Sequence, residues 1–277
     1  MCAAVILGGV TYGCGVPPEA PTARPAAALE VPPLASAAGP GPERGVGIVF
    51  GHPPATVGAA WKVEVSAVSR SADAASGEQL STYESDVRVD VLAVEGPAPS
   101  RVRLRFERNV HTYQEKATPT VLHGKTYVVD AKPPHVRDPS DGAVSEEESQ
   151  RVLDVFPDLG TRARIDEVMP DDPMKVGDRH DELAAAVLRV LHPRAWSMNR
   201  GTATLARAED GHGVFSIVLD ASSTSGLRMQ VSGEVRVRLR DARLSEVSLD
   251  GSYRDPKAPA DAEPSTFRVR RSVRDAR

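Results

Sequence analysis

"SGEVRVRLRDARLSEVSLDGSY", Ser232 to Tyr253, is the stretch that decides the fold. After Gly233, Val235 and Val237 alternate with Arg236, Arg238 and Arg240. A period of two residues puts successive side chains on opposite faces, so this is a strand with one face buried and one wet. A turn follows, then a second strand, and Asp250-Gly251 reads as the turn that closes the unit. The whole is a hairpin of an antiparallel sheet.

The same alternation recurs along the chain. "WKVEVSAVS" places Trp61, Val63, Val65 and Ala67 on one face and Lys62, Glu64 and Ser66 on the other. "DVRVDVLAV" (86–94), "RVRLRFER" (101–108), "GTATLAR" (201–207), "GVFSIVLDA" (213–221) and "TFRVRRSV" (266–273) read as further strands. Turn signals separate them at "EGPAPS" (95–100), "EDGHG" (209–213) and "LDGS" (249–252). The fold class is therefore mainly β.

Two stretches read as helices. Ser145 followed by Glu148 is a capping box, and Val152, Leu153, Val155 and Phe156 follow before Pro157 stops the run. The second helix is expected over 178–192, with Asp178 as its cap, Asp181 and Glu182 in the first turn and Pro193 after its end.

The strand-rich part divides into two halves, 46–168 and 169–277, that echo one another. "GKTYVVDAKPPHVRDPSDG" (124–142) and "GEVRVRLRDARLSEVSLDG" (233–251) both open on glycine and close on Asp-Gly at equal spacing. An internal duplication and a chance likeness between β-meanders both explain this.

Composition narrows the function classes. The 277 residues carry a formal net charge of −4, against a dedicated nucleic-acid binder. Aromatics make up 4%, too few for a stacking platform for bases or sugars. The two cysteines, Cys2 and Cys14, both precede the strand-rich body, so the body holds no disulfide framework, cysteine nucleophile or thiolate metal site. No stretch of the body approaches the ~20 apolar residues of a membrane-spanning helix.

The head (1–45) has a character of its own. "AAVILGGVTYG" (3–13) is apolar and leads to Cys14 between Gly13 and Gly15, which resembles a bacterial lipoprotein signal. That resemblance implies cleavage before Cys14 and lipidation of its thiol. The sequence departs from the usual pattern at Thr11, where an aliphatic residue is customary, and has no basic start. A plain secretory signal or an accidental apolar stretch remains the alternative. Residues 15–45 are rich in proline and alanine, so they form neither helix nor central strand. They are expected to be a disordered tether at ~3.1 Å per residue, reaching roughly 90 Å, or a tail with no spacing role.

Pro173-x-x-Val176-Gly177-Asp178, the "GTATLAR" strand and the Ser232–Tyr253 hairpin occur in order. Together they resemble a family of uncharacterised bacterial envelope lipoproteins. More distantly, they resemble lipoprotein carriers and mycobacterial lipid-binding lipoproteins. The resemblance covers most of 46–255 and implies a curled antiparallel sheet or open half-barrel, with two helices on the concave side. It also implies an envelope location, outer-membrane-anchored, and lipid binding. It brings no catalytic residues. Where related sequences read Val-Gly-Asp-x-Trp, this chain has Arg179-His180, so Trp196 is the candidate second-half counterpart of Trp61.

Little else points to chemistry. The acids of "DRHDE" (178–182) suit a helix N-terminus, and no second histidine stands at metal-ligand spacing. His111, His123, His135, His192 and His212 are scattered, and there is neither a Gly-x-Ser-x-Gly elbow nor a phosphate loop. No cofactor and no metal are expected, and the protein is expected not to be an enzyme.

The arginine ladders stand out. Arg101, Arg103 and Arg105 are expected to line one strand face, as are Arg236, Arg238 and Arg240. On neighbouring strands they would build a basic wall for phosphate or carboxylate groups. Pairing with Glu64, Asp86 and Asp90 on a solvated face is the alternative. The expected function is a membrane-tethered envelope lipoprotein that binds a lipid or scaffolds a protein partner. A structural interaction module without a cavity and an unrecognised hydrolase are the alternatives.

Overall fold

The computed structural model describes residues 47–276 apart from 74–76, 141, 157–163, 192–195 and 257–261. Cys14 and the expected tether lie outside the described residues.

The strands of the first half are β1 (Ala60–Asp73), β2 (Gly77–Glu95), β3 (Ala98–Tyr113), β4 (Lys116–Pro119), β5 (Thr126–Ala131) and β6 (Pro134–Arg137). Three helices follow: α1 (Glu146–Val155), α2 (Arg164–Val168) and α3 (Asp181–Leu191). The strands of the second half are β7 (Trp196–Glu209), β8 (His212–Ser223), β9 (Arg228–Arg238), β10 (Leu244–Arg254) and β11 (Ser265–Asp275).

The described strands form one open antiparallel sheet in the order β6-β5-β3-β2-β1-β11-β10-β9-β8-β7, with β4 pairing β3. Each half is a meander, and the halves meet where β1 pairs β11 over Trp61–Arg70. The first and last of these strands are thus neighbours at the middle of the sheet. Its two wings end on β6, with Pro134 in the strand, and on β7. Across β7 the segment 177–180 returns main-chain bonds, Gly177 to Leu205 and His180 to Ala203, so that part of the edge is covered.

Alternation sorts the faces as expected. Val63 and Ala67 are buried on one face of β1, while Lys62 and Glu64 pair with charges on the other. The apolar face carries two packed clusters. One gathers Val63, Val87, Leu104, Phe106 and Tyr127 around Val152 of α1. The other gathers Ala67, Phe215, Ile217, Val235 and Leu249 around Leu183, Val187 and Leu191 of α3, with Ile165 of α2. Val63 and Ala67 share one face of β1, so α1 and α3 cover the same side of the sheet.

The sheet departs from the sequence expectations in four places. There are three described helices, not two: α2 is a single turn whose Ile165 packs beside α3. Helix α3 starts at Asp181, not after Asp178, because the Asp178 main chain bonds to Leu205 of β7 and its carboxylate accepts from the Lys175 amide. His180 takes the capping place, its Nδ1 accepting from Leu183 N at 3.3 Å. "LDGS" is no turn: Asp250-Gly251 lies within β10. A Cβ on Gly251 would overlap Cζ of Phe267, so this glycine makes room for a ring. Arg240 lies beyond the end of β9, so the second ladder on that strand is Arg236 and Arg238.

The two echoing segments are both hairpins, β5–β6 and β9–β10. Their opening glycines differ in kind. Gly124 sits in a turn at φ +73°, whereas Gly233 lies inside β9 against the β10 backbone.

Candidate functional site

A cleft opens on the helix-bearing face where β1, β2, β10 and β11 run side by side. Its walls are Ala67 and Ser69 of β1, Ser81 of β2, Tyr253 of β10, and Phe267 and Val269 of β11. Register builds it: Ser69 stands opposite both Ser81 and Phe267, and Ala67 opposite Val269. The enclosed space is small, about 20 Å³, and the gap opens to solvent. Tyr253 and Phe267 stack at 6.0 Å between centroids and 27° between planes. Burial pushes the Tyr253 hydroxyl up from its ordinary pKa, against hydrogen bonds with Ser265 and Ser69. The walls Ala67, Tyr253, Phe267 and Val269 belong to the α3 cluster, and the α1 cluster fills the face beyond. The cleft is therefore a narrow gap at the edge of the α3 cluster, its apolar walls themselves buried.

One end of the cleft is polar. The Ser81 hydroxyl lies 2.7 Å from Nε2 of His111 on β3. Beside it, Asn109 gathers a buried network. Its amide nitrogen donates to the Tyr83 hydroxyl at 2.8 Å and to Ser85 Oγ at 3.0 Å, and its amide oxygen accepts from Thr120. Its main-chain N–H donates to Nδ1 of His123 at 3.1 Å. Burial raises the Tyr83 pKa, so that hydroxyl stays neutral and holds its bonds. These bonds tie β2, β3 and the 120–123 turn into a fixed rim. The contact of Ser81 with His111 supplies a hydroxyl and a base. No carboxylate is bonded to His111 among the described residues, so the third member of a triad is not part of this cluster.

Sequence patterning missed this site. Ser69, Ser81 and His111 carry no motif. They meet only because β2 pairs β1 on one side and β3 on the other, the latter with a bulge between Asp86 and Val87. The one usable signal was serine at apolar-face positions of otherwise regular strands.

The arginine ladders lie on the opposite face and do not meet. β2, β1, β11 and β10 separate β3 from β9, about 24 Å at the usual strand spacing. On the β9 side the arginines are neutralised. Arg207 pairs with Glu234 at 2.8 Å and Glu209 at 3.1 Å. Arg236 reaches Glu209 at 2.8 Å and Glu246 at 3.5 Å. Arg238 is held by Asp241 at 2.7 Å and Asp275 at 3.0 Å, and Arg240 also pairs with Asp275. On the β3 side Arg101 pairs with Asp130, and the hydrogen bond from Arg101 holds that carboxyl below its usual range. Arg103 and Arg105 are exposed and have no ion-pair partner among the described residues.

The other singled-out residues take local roles. Asp181 accepts from Thr202 of β7, fastening the start of α3 to the sheet. Trp61 lies under the Arg243 guanidinium at 4.6 Å, and Trp196 packs against the α3 cluster. Among the described residues no helix is long and apolar enough to cross a membrane.

No protein-family model matches the chain, and no curated protein matches it. Among solved structures it is similar to lipovitellin, in a structure described by its lipid–protein interactions, with a TM-score of 0.39 and 6% identity. The match covers 80% of this chain and 25% of that one, so this chain spans about a quarter of the length of its neighbour.

Proposed function

We propose that this chain is a non-enzymatic envelope lipoprotein, tethered through Cys14, that holds one acyl chain of a lipid in the central cleft of a curled sheet. The observation that carries the reading is the cleft itself: an apolar, aromatic-walled gap on the face otherwise sealed by α1 and α3. Its small volume suits the end of one acyl chain lying along the gap and not a whole diacyl lipid. The polar end at Ser69, Ser81 and His111 suits an uncharged, hydrogen-bonding headgroup. The tether supports the reading by keeping such a domain within reach of its membrane.

Native mass spectrometry of the chain purified from its envelope tests both parts. The expected result is a non-covalent lipid adduct that survives desalting, and a covalent mass increment of acylation on Cys14. A lipid-free protein contradicts the binding part, and an unmodified cysteine contradicts the anchor.

A further inference from the structure

The two arginine ladders are unlike in a way that selects one of them. On the face opposite the cleft, Arg88 of β2 and Arg101, Arg103 and Arg105 of β3 lie on adjoining strands. Within that area the carboxylates are Asp90, opposite Arg103 and bonded to Arg88 at 3.0 Å, and Asp130 of β5, which Arg101 shares with Arg137 of β6. Both carboxylates are thus engaged, while Arg103 and Arg105 hold no ion pair among the described residues. Arg105 stands directly opposite Arg88, whose charge Asp90 meets, so no carboxylate faces Arg105 across β2. At the border Lys62 is shared by Glu64, Asp86 and Glu107 at 3.3, 3.5 and 3.6 Å, and none of these carboxylates forms an ion pair with Arg103 or Arg105. The β9 wing carries arginine at similar density and is matched by Glu209, Glu234, Glu246, Asp241 and Asp275. The two guanidinium groups of β3 that are unpaired among the described residues stand in a chain whose net charge is −4.

The geometry points to the β2–β3 patch as a docking surface for an anionic membrane, its guanidinium groups gripping lipid phosphates. Strand spacing sets the arginines in a regular array about 5–7 Å apart on one sheet face. Such an array meets a plane of headgroups better than it meets a single small anion. Guanidinium binds phosphate with two parallel hydrogen bonds, and attraction to an anionic leaflet adds with each cation. The patch lies on the face opposite the cleft, so docking leaves the cleft open. The inference takes the presence of a membrane from the proposed tether, and it is independent of what the cleft holds.

The test is co-sedimentation of the full chain carrying Cys14→Ala, which removes any acyl anchor. The vesicles are phosphatidylcholine, with and without about 30 mol% phosphatidylglycerol. Binding to the anionic vesicles is expected at about 50 mM salt and is expected to be lost near about 300 mM. R103E/R105E should weaken it roughly tenfold or more. R240E/R268E makes the same change in net charge elsewhere on the molecule and should leave it within about twofold. Equal binding to neutral and anionic vesicles overturns the proposal. So does equal loss in the two double variants, which would make the attraction one of net charge. Ala67→Phe, which overpacks the cleft wall and is first shown to be folded by circular dichroism, should leave sedimentation unchanged. If it alone abolishes binding, the cleft and not the arginine patch holds the membrane, and this proposal fails while the cleft reading stands.

Discussion

At Gly233 a single hydrogen atom sets how closely two strands lie. Its φ is +153°, and a Cβ there would overlap the Ser248 carbonyl oxygen and stand 2.9 Å from Leu249 Cα. Both are backbone atoms of β10, so no side chain can swing aside. Gly233→Ala should therefore cost about 2–3 kcal/mol, a fall in Tm of roughly 5 °C or more for a domain of this size. Ser232→Ala, one residue away on the outer face, should change stability by less than about 0.5 kcal/mol. Thermal melts of the two variants check this, and equal melting would contradict the close approach of β9 to β10. Gly251 is the companion case, where the missing side chain admits the Phe267 ring that walls the cleft. In the sequence Gly251 looked like a turn glycine, because a glycine after an aspartate signals a turn unless the strand opposite is known.

At the scale of elements, α1 shows how a local signal is tied into the sheet. The capping box read from Ser145 and Glu148 is present on both sides. Glu148 does more than cap: it also accepts from the Tyr127 hydroxyl at 3.0 Å and from the Lys125 ammonium, fastening the helix start to β5. The Lys125 hydrogen bond is the largest influence on its carboxyl. With Tyr127 and Ser145 it overcomes burial and lowers the pKa to about 2. A carboxyl depressed in the folded state stabilises fully above its unfolded pKa and loses that contribution as pH falls through the folded value. Glu148→Gln should thus destabilise by about 1–2 kcal/mol at pH 7. Its deficit should shrink as pH is lowered from about 5 towards about 2. A deficit independent of pH, followed by thermal melts across that range, would contradict this account of the charge. The capping box was legible because all its parts lie within four residues. The start of α3 was not, since Asp178 is claimed by a strand reached only in the fold. The faces of β1 and β11 were legible for a similar reason, as alternation is local. The order that makes them neighbours was not, because no local pattern records that β1 pairs with β11.

At the scale of the molecule, two meanders joined by β1 and β11 leave one wide sheet with opposed faces. One is apolar and mostly sealed by helices, and the other is charged and mostly self-paired. Each face leaves something unsatisfied: a cleft on the first and, on the second, Arg103 and Arg105, unpaired among the described residues. Whether the cleft takes an acyl chain is read by titration with a fluorescent long-chain fatty acid, comparing the wild-type chain with Ala67→Phe. Burying about eight methylenes at about 0.8 kcal/mol each would give a Kd of about 20 μM, so saturable wild-type binding no tighter than that is predicted, while the variant, overpacked by about 1–3 kcal/mol but folded by circular dichroism, binds at least tenfold more weakly. Absence of saturable binding to the wild type, or equal affinity in a folded Ala67→Phe, would contradict the claim.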